Sequence, residues 1–169
     1  MTYQSNNLKQ IMKENLTNAE TRIANEISKH IFRVQIYMSK AIKDLMNRLV
    51  VHDRTKLCSD EIHGYAKIKK DMDKIEYGSE EYFKNLEILR ETLNAHYRMN
   101  QHHPEHFTNG IEGMTLIDLL EMTCDWIASS ELSKNGNPYR SLEFQQKRFK
   151  IDDQLYKIIE NTIKTISNE

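Results

Sequence analysis

Two prolines and five glycines are the only strong turn formers in this chain of 169 residues. Hairpins and tight turns draw on both types for fixed or left-handed φ, so a strand-rich fold would need more of them. Between the breaks, apolar residues recur every three or four positions, which is the helical period. Ile23, Ile27, Ile31, Val34 and Met38 form one stripe, opened by Thr17 and Glu20 at capping-box spacing. Ile42, Leu45, Met46 and Leu49 carry a second stripe into VVHDRTKL. Ile62, Tyr65, Ile68, Met72 and Ile75 predict another helix, stopped at Tyr77-Gly78. Ser79 then caps a helix bearing Tyr82, Leu86, Leu89, Leu93 and His96. Thr115 and Asp118 repeat the capping spacing ahead of a core face of Leu116, Leu119, Leu120, Thr123 and Ile127. Two final helices, Ser141 to Phe149 and Asp153 to Ile166, separate at Ile151-Asp152. The expectation is an all-α, compact single domain over residues 1–169 with six or seven helices, residues 1–16 being a peripheral arm or short helix.

Charge narrows the function. Lys and Arg number 24 against 25 Asp and Glu, so no net field draws the chain toward nucleic acid or anionic lipid, and general nucleic-acid coating is not expected. No run of apolar residues is long enough to span a membrane, and MTYQSNNLKQ lacks the basic-then-apolar pattern of a signal peptide. Cys58 and Cys124 form no CxxC pair, which argues against a disulfide framework and a thiolate zinc site. The expected location is cytoplasmic, in a cell or a phage-infected host. An oligomer is neither required nor excluded.

Histidine is the anomaly. Four of the seven, His96, His102, His103 and His106, fall within eleven positions, while His30 lies on the first stripe and His52 adjoins Asp53. Singly, each has an ordinary structural explanation: a core imidazole, a chance doublet, a surface loop. Their conjunction with acids is what matters. Asp118, Glu121 and Asp125 stand at i, i+3 and i+7, so a helix turns them to one face, and Trp126-Ile127 set Asp125 at its buried edge. Imidazoles and carboxylates gathered in an interior are costly unless something pairs them, and a divalent transition metal does so.

These residues resemble the HD-domain metal phosphohydrolase superfamily. The family pattern is an early helical His, a His-Asp doublet ending a later helix, and a distant Asp; here His30 in KHIFRV, His52-Asp53 in VVHDRTKL and Asp125 in EMTCDWIASS correspond. Thr55-Lys56 is similar to the small residue and Lys that follow the family doublet. His102-His103-Pro104-Glu105 is similar to the adjacent His pair and Glu of one di-metal branch, with proline inserted. MTLIDLLEMTCDWIA resembles the final-Asp helix of HD dinucleoside-polyphosphate hydrolases, and the overall likeness is to small HD-like proteins of phages and bacteria. The resemblance covers roughly residues 25 to 130. No Gly or Pro separates His30 from His52, and one unbroken helix would hold them ~33 Å apart. The ligand role of His30 therefore requires a reversal, for which Ser39 is the expected helix cap.

The resemblance implies hydrolysis of a small phosphate ester or anhydride, with a nucleotide as substrate class, by attack of a metal-bound hydroxide. One or two divalent ions are expected, Mn, Fe or Co ahead of Zn, with Mg and Ni also open. His30, His52, Asp53, His96, His102, His103 and Asp125 are the candidate ligands, and Asp118 and Glu121 their supporting partners. Lys56 and Arg54, backed by Arg33 and Arg98, are candidates for phosphate oxygens. Lys56 and Glu105 are the candidate catalytic groups, Glu105 as proton donor or as the orienter of a histidine. Two other readings stand beside this one: a di-iron HD-type oxygenase, and a non-catalytic helical binding protein whose histidines are structural.

Overall fold

A computed structural model describes residues 17–72, 75, 79–132 and 136–167, and among them every regular element is helical. The described residues form seven α-helices: α1 (Asn18–Val51), α2 (Ser59–Met72), α3 (Glu80–Ile88), α4 (Arg90–Met99), α5 (Leu116–Glu131), α6 (Pro138–Phe149) and α7 (Asp153–Ser167). Short 3-10 turns occupy Arg54–Leu57, Pro104–His106 and Gly110–Gly113. The all-α expectation is met. Residues 1–16 and the Tyr77-Gly78 stop lie outside the described residues. The chain divides into two units, Met1–Lys43 and Asp44–Glu169.

α1 departs from the expected reversal. It runs through Ser39 without a break, because the Ser39 hydroxyl donates to the Gln35 carbonyl (2.8 Å) inside the helix and so does not cap a new one. The reversal needed to bring His30 to His52 is absent, and His30 is exposed. At the start of α1, Thr17 and Glu20 form the expected reciprocal cap. α1 contains no buried residue, although its stripe reads from sequence as core.

The core of the second unit joins α5, α6 and α7. Met122, Trp126 and Ile127 of α5 pack with Leu142, Ile159 and Ile163, and with Ile151 between the last two helices. Leu116, expected on this face, is 80 % exposed, and the buried face of α5 centres on Met122 and Trp126. α6 starts at Pro138, earlier than expected, since Asn137 accepts hydrogen bonds from the Tyr139 and Arg140 amides and Pro138 suits the first helical turn. It stops where Lys150 turns left-handed (φ 53°). The single helix expected from Ser79 through His96 is instead α3 and α4, parted at Leu89, whose ψ of −1° opens the turn.

α2 and α4 approach closely at Gly64. A Cβ there would stand 2.3 Å from Thr92 Oγ1, so only glycine lets the two helices meet at this distance. That contact brings Glu61 of α2 against His96 of α4.

Candidate metal centre

The residues that converge on Asp53 all belong to the unit Asp44–Glu169. α1 ends at Val51, and Asp53 then adopts a left-handed backbone (φ 54°, ψ 13°), a conformation Asp tolerates better than most residues. Left-handed non-glycine residues gather at functional sites. From the other side, α4 supplies His96, the following loop supplies His102 and His103, and α5 supplies Glu121 and Asp125.

The imidazoles converge on one carboxylate. Asp53 Oδ1 lies 3.1 Å from His96 Nε2 and 3.4 Å from His102 Nε2, and Asp53 Oδ2 lies 3.6 Å from His52 Nε2. His103 Nε2 is 2.9 Å from His96 Nε2, and Asp125 Oδ1 is 3.8 Å from His52 Nε2. Three sets of potential ligand atoms each fall within 4.8 Å of one another: Asp53 with His96, His102 and His103; His52 with Asp53 and Asp125; and His52 with His102 and Glu121. Asp53 belongs to two of these sets, and its two oxygens face different imidazoles.

Carboxylates on the far side orient the rings. Glu121 Oε1 sits 2.9 Å from His52 Nδ1 and 3.4 Å from His102 Nδ1, while Glu61 Oε2 sits 3.0 Å from His96 Nδ1. Each Nδ1 thus faces an acceptor and each Nε2 turns inward, the arrangement that metal-ligating histidines use. Glu121 is itself held: Arg48 Nη1 donates to its Oε2 at 3.0 Å and to Asp118 Oδ1 at 2.7 Å. Asp118 holds no imidazole. It closes the Thr115 capping box of α5 and accepts Arg48, so of the two expected supporting acids only Glu121 touches a histidine.

The electrostatics follow from this crowding. Burial pushes the Asp53 carboxyl up, but the His102 and His96 imidazoles and the Lys56 ammonium outweigh it and hold it far below the carboxylate range. Burial likewise opposes ionisation of Asp125, and His52 and Lys56 bring it below its ordinary value. Asp125, at 3.8 Å an ionic and not a hydrogen-bonded neighbour, joins Glu121 and Asp53 in holding the His52 imidazolium up to about 9. His103 is pushed down to about 3 by burial and by the adjacent His102 and His96. It is therefore neutral, the form that ligates.

Asp53 Oδ1 and His102 Nε2 are buried and make no hydrogen bond among the described residues. Buried polar atoms without a hydrogen-bond partner are rare in folded proteins, and here two of them face each other across 3.4 Å. A cation beside both would satisfy both, and the N/O donor set suits a divalent transition metal. The residues fit such an ion.

The other expected site residues are more scattered. Lys56 pairs with Asp53 Oδ2 and so reaches the centre through a ligand candidate. Arg54 and Arg98 are exposed, and Arg33 is exposed in the other unit. Glu105 pairs with Arg148 and, among the described residues, orients no histidine. His106 Nδ1 donates to the Tyr97 carbonyl at 3.0 Å, a loop-fastening bond.

Three contributors were not found from sequence. Arg48 stands one helical turn before His52, a spacing that could have flagged it. Glu61 is buried beside His96 with no local signal. Tyr65, one of the apolar-stripe positions of α2, has a buried hydroxyl without a hydrogen-bond partner among the described residues. Burial first, then the charges of Glu61 and Asp53, hold its phenol protonated far above the usual range. A cleft of about 290 Å³ opens beside the centre, lined by His52, His102, Glu121, Arg48 and Asn100 among others. Among the described residues no helix is long and apolar enough to cross a membrane.

No curated protein and no solved structure matches this chain. A family model does, over residues 19–165, and these include every residue of the centre; the chain belongs to the family of unknown function DUF5662.

Proposed function

We propose that this protein is an HD-type metal-dependent phosphohydrolase acting on a small phosphate ester or anhydride, with a nucleotide as the substrate class. The observation that carries this reading is the gathering of His52, His96, His102 and His103 around Asp53, in which Asp53 Oδ1 and His102 Nε2 are buried and make no hydrogen bond among the described residues. His52, Asp53 and Asp125 would hold one ion, and Asp53, His96, His102 and His103 a second. An ion held there supplies Lewis acidity toward a phosphoryl oxygen and acidifies a water.

Charge is compatible with an anionic substrate. Among the described residues Asp53, Asp125, Glu61, Glu121, Asp118 and Asp44 face Arg48 and Lys56 as fixed cations, a deficit of four with the imidazoles neutral. Two divalent ions would balance that deficit and remove the repulsion that a phosphate group would otherwise meet.

The chain's own residues then have distinct tasks. Glu121 and Glu61 hold imidazole Nδ1 atoms so that the Nε2 atoms face inward. Arg48 keeps Glu121 in position. Lys56, which pairs with Asp53 at the edge of the centre, would turn its ammonium to phosphoryl oxygens. Tyr65 offers a hydroxyl donor that no acceptor among the described residues occupies. The cleft admits the substrate on the His52 and His102 side.

The test is elemental analysis of the purified protein, followed by a phosphate-release screen over nucleotides and cyclic dinucleotides with Mn, Co and Fe. One or two metal equivalents and metal-dependent phosphate release are expected. Absence of bound metal after loading overturns the proposal. Iron with oxygen-dependent turnover and no phosphate release replaces it with the oxygenase reading.

A further inference from the structure

Within the unit Met1–Lys43, α1 carries Ile23, Ile27, Ile31, Val34, Met38 and Ile42 at successive steps of four, four, three, four and four residues. Eleven residues to three turns is 3.67 per turn, so near the helical period that the stripe stays on one side of a straight helix with little supercoil. All six side chains are between 41 and 59 % exposed. An isolated helix has little stability of its own, and an apolar stripe of this length on a surface marks a contact.

The occupant must be long, straight and apolar over the same period, and the chain itself provides one. Six half-exposed side chains offer on the order of 500–600 Å² per helix, or roughly 1,200 Å² for a pair once flanking residues are covered, the lower edge of specific interfaces. Charge sets the direction. The half from Asn18 to His30 holds Glu20 and Glu26 with Arg22 and Lys29, whereas the half from Ile31 to Lys43 holds Arg33, Lys40 and Lys43 and no acid. Parallel pairing would set three cations against the same three. Antiparallel pairing sets them against the half that contains both acids.

We infer that residues 18–43 pair antiparallel with the same segment of a second copy of this chain, forming a homodimer through the Ile23–Ile42 stripe. This inference is independent of the metal reading. Sedimentation equilibrium of the full chain from about 1 to 100 µM tests it. The mass should rise from 20.1 kDa toward twice that value. The double variant Ile27→Glu, Met38→Glu should remain at 20.1 kDa throughout, with unchanged helical circular dichroism and metal content. A wild type that stays monomeric at the top of the range, or a double variant that dimerises as well as wild type, overturns the inference. Orientation is read by spin labels at Arg22→Cys with Cys58 and Cys124 replaced by serine. Antiparallel pairing separates the two backbone positions by about 30 Å, parallel pairing by about 10 Å, and the shorter distance overturns the antiparallel assignment.

Discussion

Replacing Arg48 by methionine keeps the aliphatic stem and removes the guanidinium that joins Asp118 to Glu121. The two carboxylates are 3 and 13 % exposed at the side chain, and the arginine 18 %, so the change strands two largely buried charges. Removing one partner of a buried ion pair costs about 3–5 kcal/mol, and the residual exposure of Arg48 argues for the lower end, about 3 kcal/mol. Its further pair with the half-exposed Asp44 adds only about 0.3–0.5 kcal/mol. For a chain of this length that is a fall of roughly 6–12 °C in Tm. Urea unfolding of metal-free protein, followed by circular dichroism, measures the loss directly. A second consequence distinguishes a positioning role from simple stability. Glu121 without its anchor should hold His52 less well, weakening metal binding roughly 10- to 100-fold by titration calorimetry. The double variant with Glu121→Gln should bind metal about as weakly as Glu121→Gln alone, since Arg48 acts through that carboxylate. An Arg48→Met protein within about 0.5 kcal/mol of wild type, with unchanged metal affinity, would refute the reasoning.

Asp53→Ala removes the carboxylate common to two ligand sets and should abolish metal retention, whereas His106→Ala, which loses only a bond to the Tyr97 carbonyl, should retain it; equal metal content in the two contradicts the ordering. Lys56→Ala should keep its metal but lose phosphate release by roughly 30- to 1,000-fold, the usual effect of deleting a charged transition-state contact, and unchanged kcat/KM removes that role. Metal-free stability should be greatest near pH 6.5. His52, held up to about 9, retains when folded a proton that the unfolded chain sheds near 6.5, so its contribution is complete below 6.5 and lost as the pH rises through 9. His103, held down to about 3, refuses when folded a proton that the unfolded chain accepts near 6.5, so stability also falls as the pH drops from 6.5 toward 3. Each slope approaches about 1.4 kcal/mol per pH unit at most, and a Tm that is flat from about pH 5 to 9 contradicts both shifts.

Helical periodicity and capping pairs were readable without coordinates because they act over three or four residues. Thr17 with Glu20 and Thr115 with Asp118 both form the expected boxes. The histidine cluster and Asp125 were readable for a different reason, since their residue types are costly to bury together. His30 misled because its stripe has the period of a core helix, and periodicity does not say which apolar face is covered. Ser39 could cap or back-bond, and only the continuing helix decides between them. Arg48 and Glu61 matter through partners far along the chain, such as Glu121 seventy-three residues from Arg48, and no local pattern encodes such pairings. Leu116 was misplaced because the capping box sets where α5 begins while packing against α6 and α7 sets its rotation.

Asp118 divides its two oxygens between different tasks. Oδ2 accepts from the Thr115 amide and hydroxyl at the start of α5, and Oδ1 accepts from Arg48. Helix ends ordinarily open and close with little free-energy change. Here such an opening would also unseat the guanidinium and, three residues along the same helix, loosen Glu121 and the imidazole it steers. The lifetime of the assembled centre is then tied to the local opening rate of one helical turn. Deuterium exchange at the Thr115 amide should slow when metal is added, and the slowest metal-release phase should share its rate constant.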